Sequence, residues 1–264
     1  MSQRHFAAFL DFYRQTSFEY IMEQPLITHS AVLMDIFPKE YPATELFLPL
    51  PVPEMGEKNL FRVFQERRSI YPLEGQMPTK AALAELLYWS VGVTGYKSLY
   101  GYRNFPLRAF PSAGGLQATE VYVGLPAKVE DLPVGVYHYH PLKHGLEKVG
   151  GREQVKMMAK SVYDFQPWPR THCLFLLLTV DYTRLEHKYG GFAGRLSMLD
   201  PGFAAQNIYL AATALGLKTT VIGGFHAGLA AASIGLEEFR DLATGHFEFP
   251  LLIFPVGALL ADEQ

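Results

Sequence analysis

The sequence lacks most of the features that mark specialised protein classes. Cysteine occurs once in 264 residues, at Cys173, which excludes an internal disulfide and a multi-thiolate metal site. The formal charge of -3 provides no basic excess for nucleic-acid binding. No apolar run is long enough to cross a bilayer, and charges interrupt the apolar N-terminus, so no signal peptide is predicted. We therefore expect a cytoplasmic protein with neither a membrane nor a nucleic-acid partner.

Familiar catalytic motifs are also missing. The Walker pattern, a GxGxxG after a strand and the GxSxG elbow do not occur, which disfavours nucleotide-binding and hydrolase classes. His138 and His140 alternate on a predicted strand and share one face, but no HExxH or CxxC motif supplies further ligands. No metal site is predicted.

The apolar patterns predict a mixture of helices and antiparallel strands, and therefore the α+β class. Predicted helices cover residues 5–23, 59–69, 81–93, 199–215 and 236–244. Thr79 is the predicted N-cap of the third helix, and Asp200 and Pro201 are the predicted start of the fourth. Predicted strands cover residues 118–125, 135–141, 146–149, 173–182, 218–225 and 249–259. Residues 37–56 contain five of the eighteen prolines and should be mostly extended, because proline fixes φ and has no N–H. The prediction is an N-terminal helix and proline-rich arm over residues 1–58, followed by one domain over residues 59–264.

Three short clusters of basic or glycine residues could bind a ligand. Arg67, Arg68 and Ser69 offer two guanidinium forks and a hydroxyl to a phosphate, although a solvated arginine pair is equally consistent with the spacing. The segment Pro111-Ser112-Ala113-Gly114-Gly115 could let a ring approach the backbone, or could be an ordinary turn. Ile222-Gly223-Gly224 could expose backbone N–H groups after a strand, or could be a strand bulge.

Together these clusters resemble the nitroreductase superfamily of FMN-binding oxidoreductases. The similarity is greatest to its branch of SagB-type dehydrogenases, which includes thiazoline and oxazoline oxidases. Five blocks in the same order carry the resemblance: RRS at 67–69, RAFPSAGGLQATEVYVG at 108–124, GVYHYHP at 135–141, KYGGFAGRLSMLDPGFAAQNIYLAATALGL at 188–217 and IGGF at 222–225.

The resemblance implies a homodimer with a central antiparallel sheet flanked by helices and with FMN at the dimer interface. It implies that residues 67–69 hold the phosphate, the ribityl chain or the pyrimidine edge from one subunit. Pro111, Ser112, Ala113 and Gly114 would reach the same flavin from the other subunit. Ile222, Gly223 and Gly224 would flank the ring near N5. Many relatives keep a basic residue near the C-terminus, but no Lys or Arg follows Arg240, so Arg195 becomes a candidate for the phosphate.

In the azoline-oxidising relatives a Lys-Tyr step is the proposed catalytic pair, and Lys188-Tyr189 matches it. Removing a proton requires a base near the operating pH, so burial or coupling would have to lower the pKa of one of these groups. An exposed lysine beside a packing tyrosine is the structural alternative. Gln206, on the predicted helix 199–215, could face the flavin or the dimer interface, or could serve helix packing.

Three functions remain open at this point. The first is an FMN-dependent dehydrogenase that acts on a peptide-borne or carrier-borne heterocycle, together with biosynthetic partner enzymes. The second is an NAD(P)H-dependent reductase of nitroaromatic compounds or quinones. A reductase needs an open face of the flavin, and the bulky residues from Tyr96 to Phe105, which include Tyr100, could narrow that face or bind a peptide. The third is a flavin-free binding partner in a biosynthetic complex.

Overall fold

The computed structural model describes residues 3–17, 39–41, 44, 46–54, 56–57, 59–71, 76–163, 173–242 and 244–258. Seven strands form one antiparallel sheet in the order β1-β6-β5-β4-β7-β9-β8, and β2 and β3 form a separate hairpin. The strands are β1 (Phe47–Pro49), β2 (Val93–Leu99), β3 (Tyr102–Arg108), β4 (Thr119–Leu125), β5 (Gly135–His140), β6 (Gly145–Gly150), β7 (Leu174–Asp181), β8 (Leu217–Thr219) and β9 (Glu248–Ala258).

Helices cover both faces of the large sheet. They are α1 (Gln3–Gln15), α2 (Leu60–Glu66), α3 (Lys80–Val91), α4 (Arg152–Tyr163), α5 (Tyr182–Tyr189), α6 (Ala193–Ala214) and α7 (Ala227–Ser233). The predicted N-cap Thr79 is confirmed, because its side chain accepts a hydrogen bond from the Ala82 N–H at 3.1 Å. The predicted α+β class, with a central antiparallel sheet flanked by helices, is confirmed.

The alternation of side chains along β4 and β7 creates two apolar layers. Val121 and Val123 pack with residues of α3 and α6 on one face of the sheet. Tyr122 and Phe175 face the opposite layer, which includes residues of α4 and α7. Successive strand side chains point to opposite faces, so a strand covered by helices on both sides is apolar throughout. This explains the continuous apolar run over residues 173–182, which contains β7 and lies between β4 and β9 in the sheet.

Part of the proline-rich arm belongs to the sheet. β1 pairs with β6 at the sheet edge, where Phe47 lies opposite Glu147. Lys39 is buried and forms ion pairs with Asp241, at 2.6 Å, and with Glu248. The residues around β1 are thereby attached to both the edge and the interior of the domain.

Several predicted element boundaries are wrong. Helix α6 begins at Ala193 rather than at 199, and it continues through Pro201, whose buried packing compensates for one missing N–H. Residues 236–242 and 244 form turns rather than a helix, since Glu238 and Phe239 have φ of 49° and 63°. The predicted strand 218–225 ends at Thr219 apart from a bridge at Ile222.

The predicted N-terminal helix is also shorter than expected. Helix α1 ends at Gln15, and the Thr16 hydroxyl donates to the Phe12 carbonyl at 2.9 Å. Residues 18–23 of the prediction lie outside the described residues.

Candidate functional site

The segment that follows α2 is attached to the end of β8 through Tyr209. Ser69 Oγ lies 3.0 Å from the Tyr209 hydroxyl oxygen, which also accepts the Val221 N–H at 2.8 Å. The Ile70 N–H donates to the Thr219 carbonyl at 2.9 Å. One tyrosine thus joins two of the clusters that the sequence singled out. We call residues 67–69, Tyr209 and residues 221–224 the arginine group.

The positive charges of this group have no acidic partner among the described residues. The Arg67 guanidinium stacks on the Tyr209 ring, with 5.3 Å between Cζ and the ring centroid. Arg68 is exposed and donates to the backbone carbonyls of Gln65 and Arg67, at 2.9 and 2.7 Å. Within the described ranges, no carboxylate forms an ion pair with either arginine. The group therefore combines an unneutralised charge with fixed geometry, which suits an anionic ligand.

The glycines after β8 leave an open backbone surface. Ile222 is buried and exchanges both backbone hydrogen bonds with Ile253, at 2.8 and 3.0 Å, which fixes the chain immediately before them. Gly223 and Gly224 are exposed, and no atom lies within 4 Å of a Cβ built at either position. A flat ligand could approach this backbone without a clash.

A buried carboxylate shapes the loop at residues 111–115. Asp200 accepts hydrogen bonds from Ser112 Oγ and from the Ala113 N–H, each at 2.9 Å. Ser112 Oγ in turn accepts the Gln117 N–H at 2.9 Å. Gly114 and Gly115 have φ of 56° and 71°, a backbone region in which glycine carries no Cβ penalty. Burial raises the pKa of Asp200, and the hydrogen bonds from Ala113 and Ser112 oppose that rise.

Lys188 and Tyr189 lie directly against this loop. Lys188 Nζ is 3.5 Å from the Gly114 carbonyl oxygen. A Cβ added at Gly114 would clash with the Tyr189 hydroxyl and would lie 2.6 Å from Lys188 Nζ. The sequence positions 114 and 188–189 are therefore brought together by the fold. We call residues 111–115, Lys188, Tyr189 and Asp200 the lysine group.

Helix α5, which carries Lys188 and Tyr189 near its end, is anchored to the domain by its first turn. The Asp181 side chain caps the helix by accepting the Arg184 N–H at 3.0 Å. The buried Arg184 guanidinium donates to the Gln117 carbonyl at 2.7 Å and to Glu120 at 2.8 Å. This links α5 to the chain just beyond residues 111–115. Lys188 lies in the last turn, where the helix dipole favours a cation.

The environment of Tyr189 favours the protonated form of its phenol. Burial raises the pKa of Tyr189, and the neighbouring Tyr100 and Asp200 raise it further. A tyrosine base would require the opposite shift. At neutral pH the phenol therefore carries its proton and can donate a hydrogen bond.

Two predicted residues lie apart from both groups within this chain. Arg195 stacks on Tyr13 of α1, at 4.6 Å from guanidinium carbon to ring centroid, and donates to the Tyr13 carbonyl at 3.2 Å. Gln206 is exposed on α6. Tyr209 and Asp200, which belong to the two groups, and Tyr100, which lies against Lys188, had no predicted part in the site. Tyr209 could have been noticed as a tyrosine in an apolar helix, since a buried phenol needs a polar partner. Asp200 was interpreted only as a helix start, and Tyr100 only as bulk.

Helix α6 separates the two groups. It carries Asp200 in the lysine group and Tyr209 in the arginine group. Nine residues of α-helix correspond to about two and a half turns and about 14 Å of rise, so these side chains leave opposite sides of the helix.

The described part of the chain holds neither a cluster of metal ligands nor a membrane-spanning helix. No group of three or more His, Cys, Asp or Glu side chains is placed to hold a metal ion there. Among these residues, no helix has both the length and the apolar character needed to span a bilayer.

The antiparallel sheet between helical layers, with a glycine loop and an arginine pair at its margins, is the α+β architecture of the nitroreductase oxidoreductases. The nitroreductase family model matches residues 64–258, and the chain belongs to the nitroreductase family. A Methanocaldococcus jannaschii protein named as a nitroreductase is 28% identical over 210 residues, which cover 80% of this chain and 96% of that protein.

Two further matches come from Escherichia coli. The microcin B17-processing protein McbC is 29% identical over 136 residues, which cover 50% of this chain and 49% of McbC. A chain of the microcin synthetase McbBCD complex, solved with truncated pro-MccB17, has a TM-score of 0.59 and 20% identity. That match covers 98% of this chain and 95% of the other, and it shows a shared fold.

Proposed function

We propose that this protein is an FMN-dependent dehydrogenase of the SagB type, which oxidises a thiazoline or oxazoline ring carried by a peptide or a carrier. The observation that carries the proposal is the convergence of Lys188 and Tyr189 on Gly114, in the loop expected to reach the flavin. The similarity to the microcin B17-processing protein supports a peptide substrate and partner proteins.

The arginine group fits FMN. Its guanidinium groups lack carboxylate partners among the described residues, and a phosphate would supply the missing negative charge. Its exposed glycines leave room for a flat ring. When bound, FMN would supply the acceptor for a hydride. The residues that would hold it are Arg67, Arg68, Ser69, Ile222, Gly223 and Gly224, with Pro111, Ser112, Ala113 and Gly114 contributed by a second subunit.

A homodimer would solve the problem that α6 separates the two groups. A second copy could bring its lysine group to the first copy's arginine group. Each flavin could then contact one group of each kind without extending past α6. The exposed face of α6 supports this pairing, because Met198, Leu199 and Phe203 are 57%, 47% and 45% exposed and recur at helical spacing beside Gln206. In such a dimer, contacts with the second subunit would determine whether Arg195 and Gln206 reach the flavin.

The protein's own chemistry in this proposal is proton transfer. Oxidation of an azoline to an azole removes a hydride and, from the adjacent carbon, a proton. Lys188 would accept that proton through Nζ, which the Gly114 carbonyl holds at the loop. Tyr189, protonated at neutral pH, would donate a hydrogen bond that orients the ring.

A reductase of nitroaromatic compounds or quinones is the second candidate function. The match to the M. jannaschii protein favours it, because that relative is aligned over nearly its whole length and is named as a nitroreductase. The two candidates differ in the electron donor, since the reductase requires NADH or NADPH to reach the flavin.

The test follows the flavin absorbance of the FMN-reconstituted protein without oxygen. NADPH and NADH are added first, and then a peptide that contains an azoline ring. We expect the band to persist with the nicotinamides and to bleach with the peptide. Rapid bleaching by either nicotinamide, with none by the peptide, would establish the reductase instead. Failure to retain any flavin would favour the flavin-free binding partner.

A comparison of two lysine variants tests whether Lys188 is the base. Lys188→Ala should leave the flavin band intact and abolish turnover of the peptide. Lys97→Ala removes another lysine, an exposed one on β2, and should leave turnover unchanged. Full turnover in Lys188→Ala would show that another group takes the proton.

A further inference from the structure

Lys188 is held by aromatic ring faces rather than by a carboxylate. Its Nζ lies 4.7 Å from the Tyr100 ring centroid and 5.6 Å from the Tyr189 ring centroid. The Gly114 carbonyl oxygen, at 3.5 Å, is its hydrogen-bond acceptor. Among the described residues, no Asp or Glu forms an ion pair with it. Ring faces attract a cation and are found around ammonium ligands, so two rings and a carbonyl form a cage for this amine.

Tyr100 reaches this cage from the tip of the β2–β3 hairpin. Leu99 pairs with Tyr102, so Tyr100 and Gly101 form a two-residue loop, and both have positive φ, of 52° and 85°. Such a loop normally carries Asn, Asp or Gly at its first position. A tyrosine there is strained, and observed strain of this kind is a starting point for a functional hypothesis.

The surroundings fix the ring of Tyr100 in this unusual place. It packs edge-on against Phe105, with 5.8 Å between ring centroids. Gly115 allows the approach, since a Cβ at that position would lie 3.0 Å from the Phe105 ring and 3.7 Å from the Tyr100 ring. The hairpin tip, the glycine loop and Lys188 are therefore packed as one unit, although they come from three separate parts of the chain.

We propose that Tyr100 is a positioning residue whose ring face holds the Lys188 side chain over the glycine loop and stabilises the ammonium that forms when Nζ accepts the substrate's proton. The inference rests on the proposed function for the use of Lys188 as a base. The placement itself can be tested without any substrate. What matters is the aromatic face, so the phenol oxygen of Tyr100 is dispensable.

The first readout is the rate at which Lys188 is acetylated by limiting acetic anhydride, measured by mass spectrometry in the purified full chain with its flavin. Lys128, exposed in the loop after β4, is the internal reference. Tyr100→Leu should raise the relative rate at Lys188 about two- to fivefold, the factor that matches a surface cation–π contact. Tyr100→Phe, which retains the ring, should keep the wild-type rate. Tyr96→Leu is the matched control, because Tyr96 lies on the same hairpin and is 60% exposed, against 48% for Tyr100, and its ring is not one of the two against Lys188.

The second readout is turnover of the azoline peptide. If Tyr100 positions the base, Tyr100→Leu should lower kcat with little change in KM, and Tyr100→Phe should restore it. An unchanged Lys188 acetylation rate in Tyr100→Leu would overturn the proposal. A faster acetylation with unaltered kcat would leave the placement standing and would instead contradict the role of Lys188 as the base.

Discussion

Ser112 and Asp200 are 88 positions apart in the sequence, and the hydroxyl of one donates to the carboxylate of the other at 2.9 Å. This bond and the Ala113 N–H join the glycine loop to α6. Asp200→Ala would leave a hydroxyl and an N–H without their acceptor, at a cost of about 1–3 kcal/mol in the free energy of unfolding. Urea denaturation should measure this loss, while Asp200→Asn, which retains an acceptor, should lose less. Equal stability of Asp200→Ala and the wild type would contradict this account of the loop.

Gly114→Ala should disturb the lysine group more than the backbone conformation alone requires. A Cβ at this position meets Lys188 and Tyr189, and φ is 56°. Gly216→Ala is the matched control, since φ there is 69° and no atom lies within 4 Å of its Cβ. Both should lose about 1–2 kcal/mol from the left-handed backbone. Only Gly114→Ala should also abolish turnover and change the acetylation rate of Lys188. Identical behaviour of the two variants would mean that the contact has no functional role.

Arg68→Ala should weaken flavin binding about tenfold or more, because a charge-assisted hydrogen bond to a phosphate is removed. Arg62→Ala is the control, since Arg62 lies on α2 just before this segment, is exposed and is paired with Glu66 at 2.6 Å. Titration of the flavin-depleted protein with FMN, followed by fluorescence, gives both affinities. If both variants bind FMN as the wild type does, the phosphate lies elsewhere.

The buried His138 should make stability depend on pH. Burial alone would lower its pKa, but hydrogen bonds to Glu120 and Glu147, at 3.1 and 2.9 Å, outweigh burial and raise the pKa above its ordinary value of 6.5. The charged imidazole therefore contributes full stability below the pKa of the unfolded chain. That contribution is lost as the pH rises through the higher folded-state pKa. Asp181 likewise raises the pKa of His246 through a hydrogen bond, so both histidines lower the stability as the pH rises.

The measurement is the free energy of unfolding in urea from pH 6 to pH 9. The wild type should lose at most about 1.4 kcal/mol per pH unit for each proton released. His138→Gln should be less stable at pH 6 and should have a shallower slope. Parallel curves for the two proteins would rule out a charged His138 in the folded state.

The sequence predicted the parts of the fold that depend on local patterns. Thr79 as a helix cap and the apolar strand at 173–182 follow from hydrogen-bonding capacity and from burial on both faces. The start of α6 was wrong because Asp200-Pro201 is a typical helix start, whereas packing carries the helix through the proline. The turn at residues 236–242 was missed because its backbone bonds with residues 246–248 instead of continuing as a helix.

The same distinction between local motifs and long-range contacts applies to the candidate site. Lys188, Tyr189 and Gly114 were singled out as short motifs, but only the fold places them together. The aromatic cage was beyond prediction, since it depends on a tyrosine in a strained turn that belongs to neither motif. The direction of the Tyr189 pKa shift follows mainly from burial, which a sequence motif does not specify.

The ion pairs of Lys39 have a consequence for the order of synthesis. Glu248 follows Lys39 by 209 positions and begins β9, so a chain emerging from the ribosome cannot offer the early lysine its buried partner until that strand has been made. Until then an ammonium group in the sheet interior would be unpaired, which is strongly unfavourable. We therefore expect Lys39 to stay exposed to solvent while the middle of the protein is translated. Burial of Lys39 against the sheet should be among the last steps of folding.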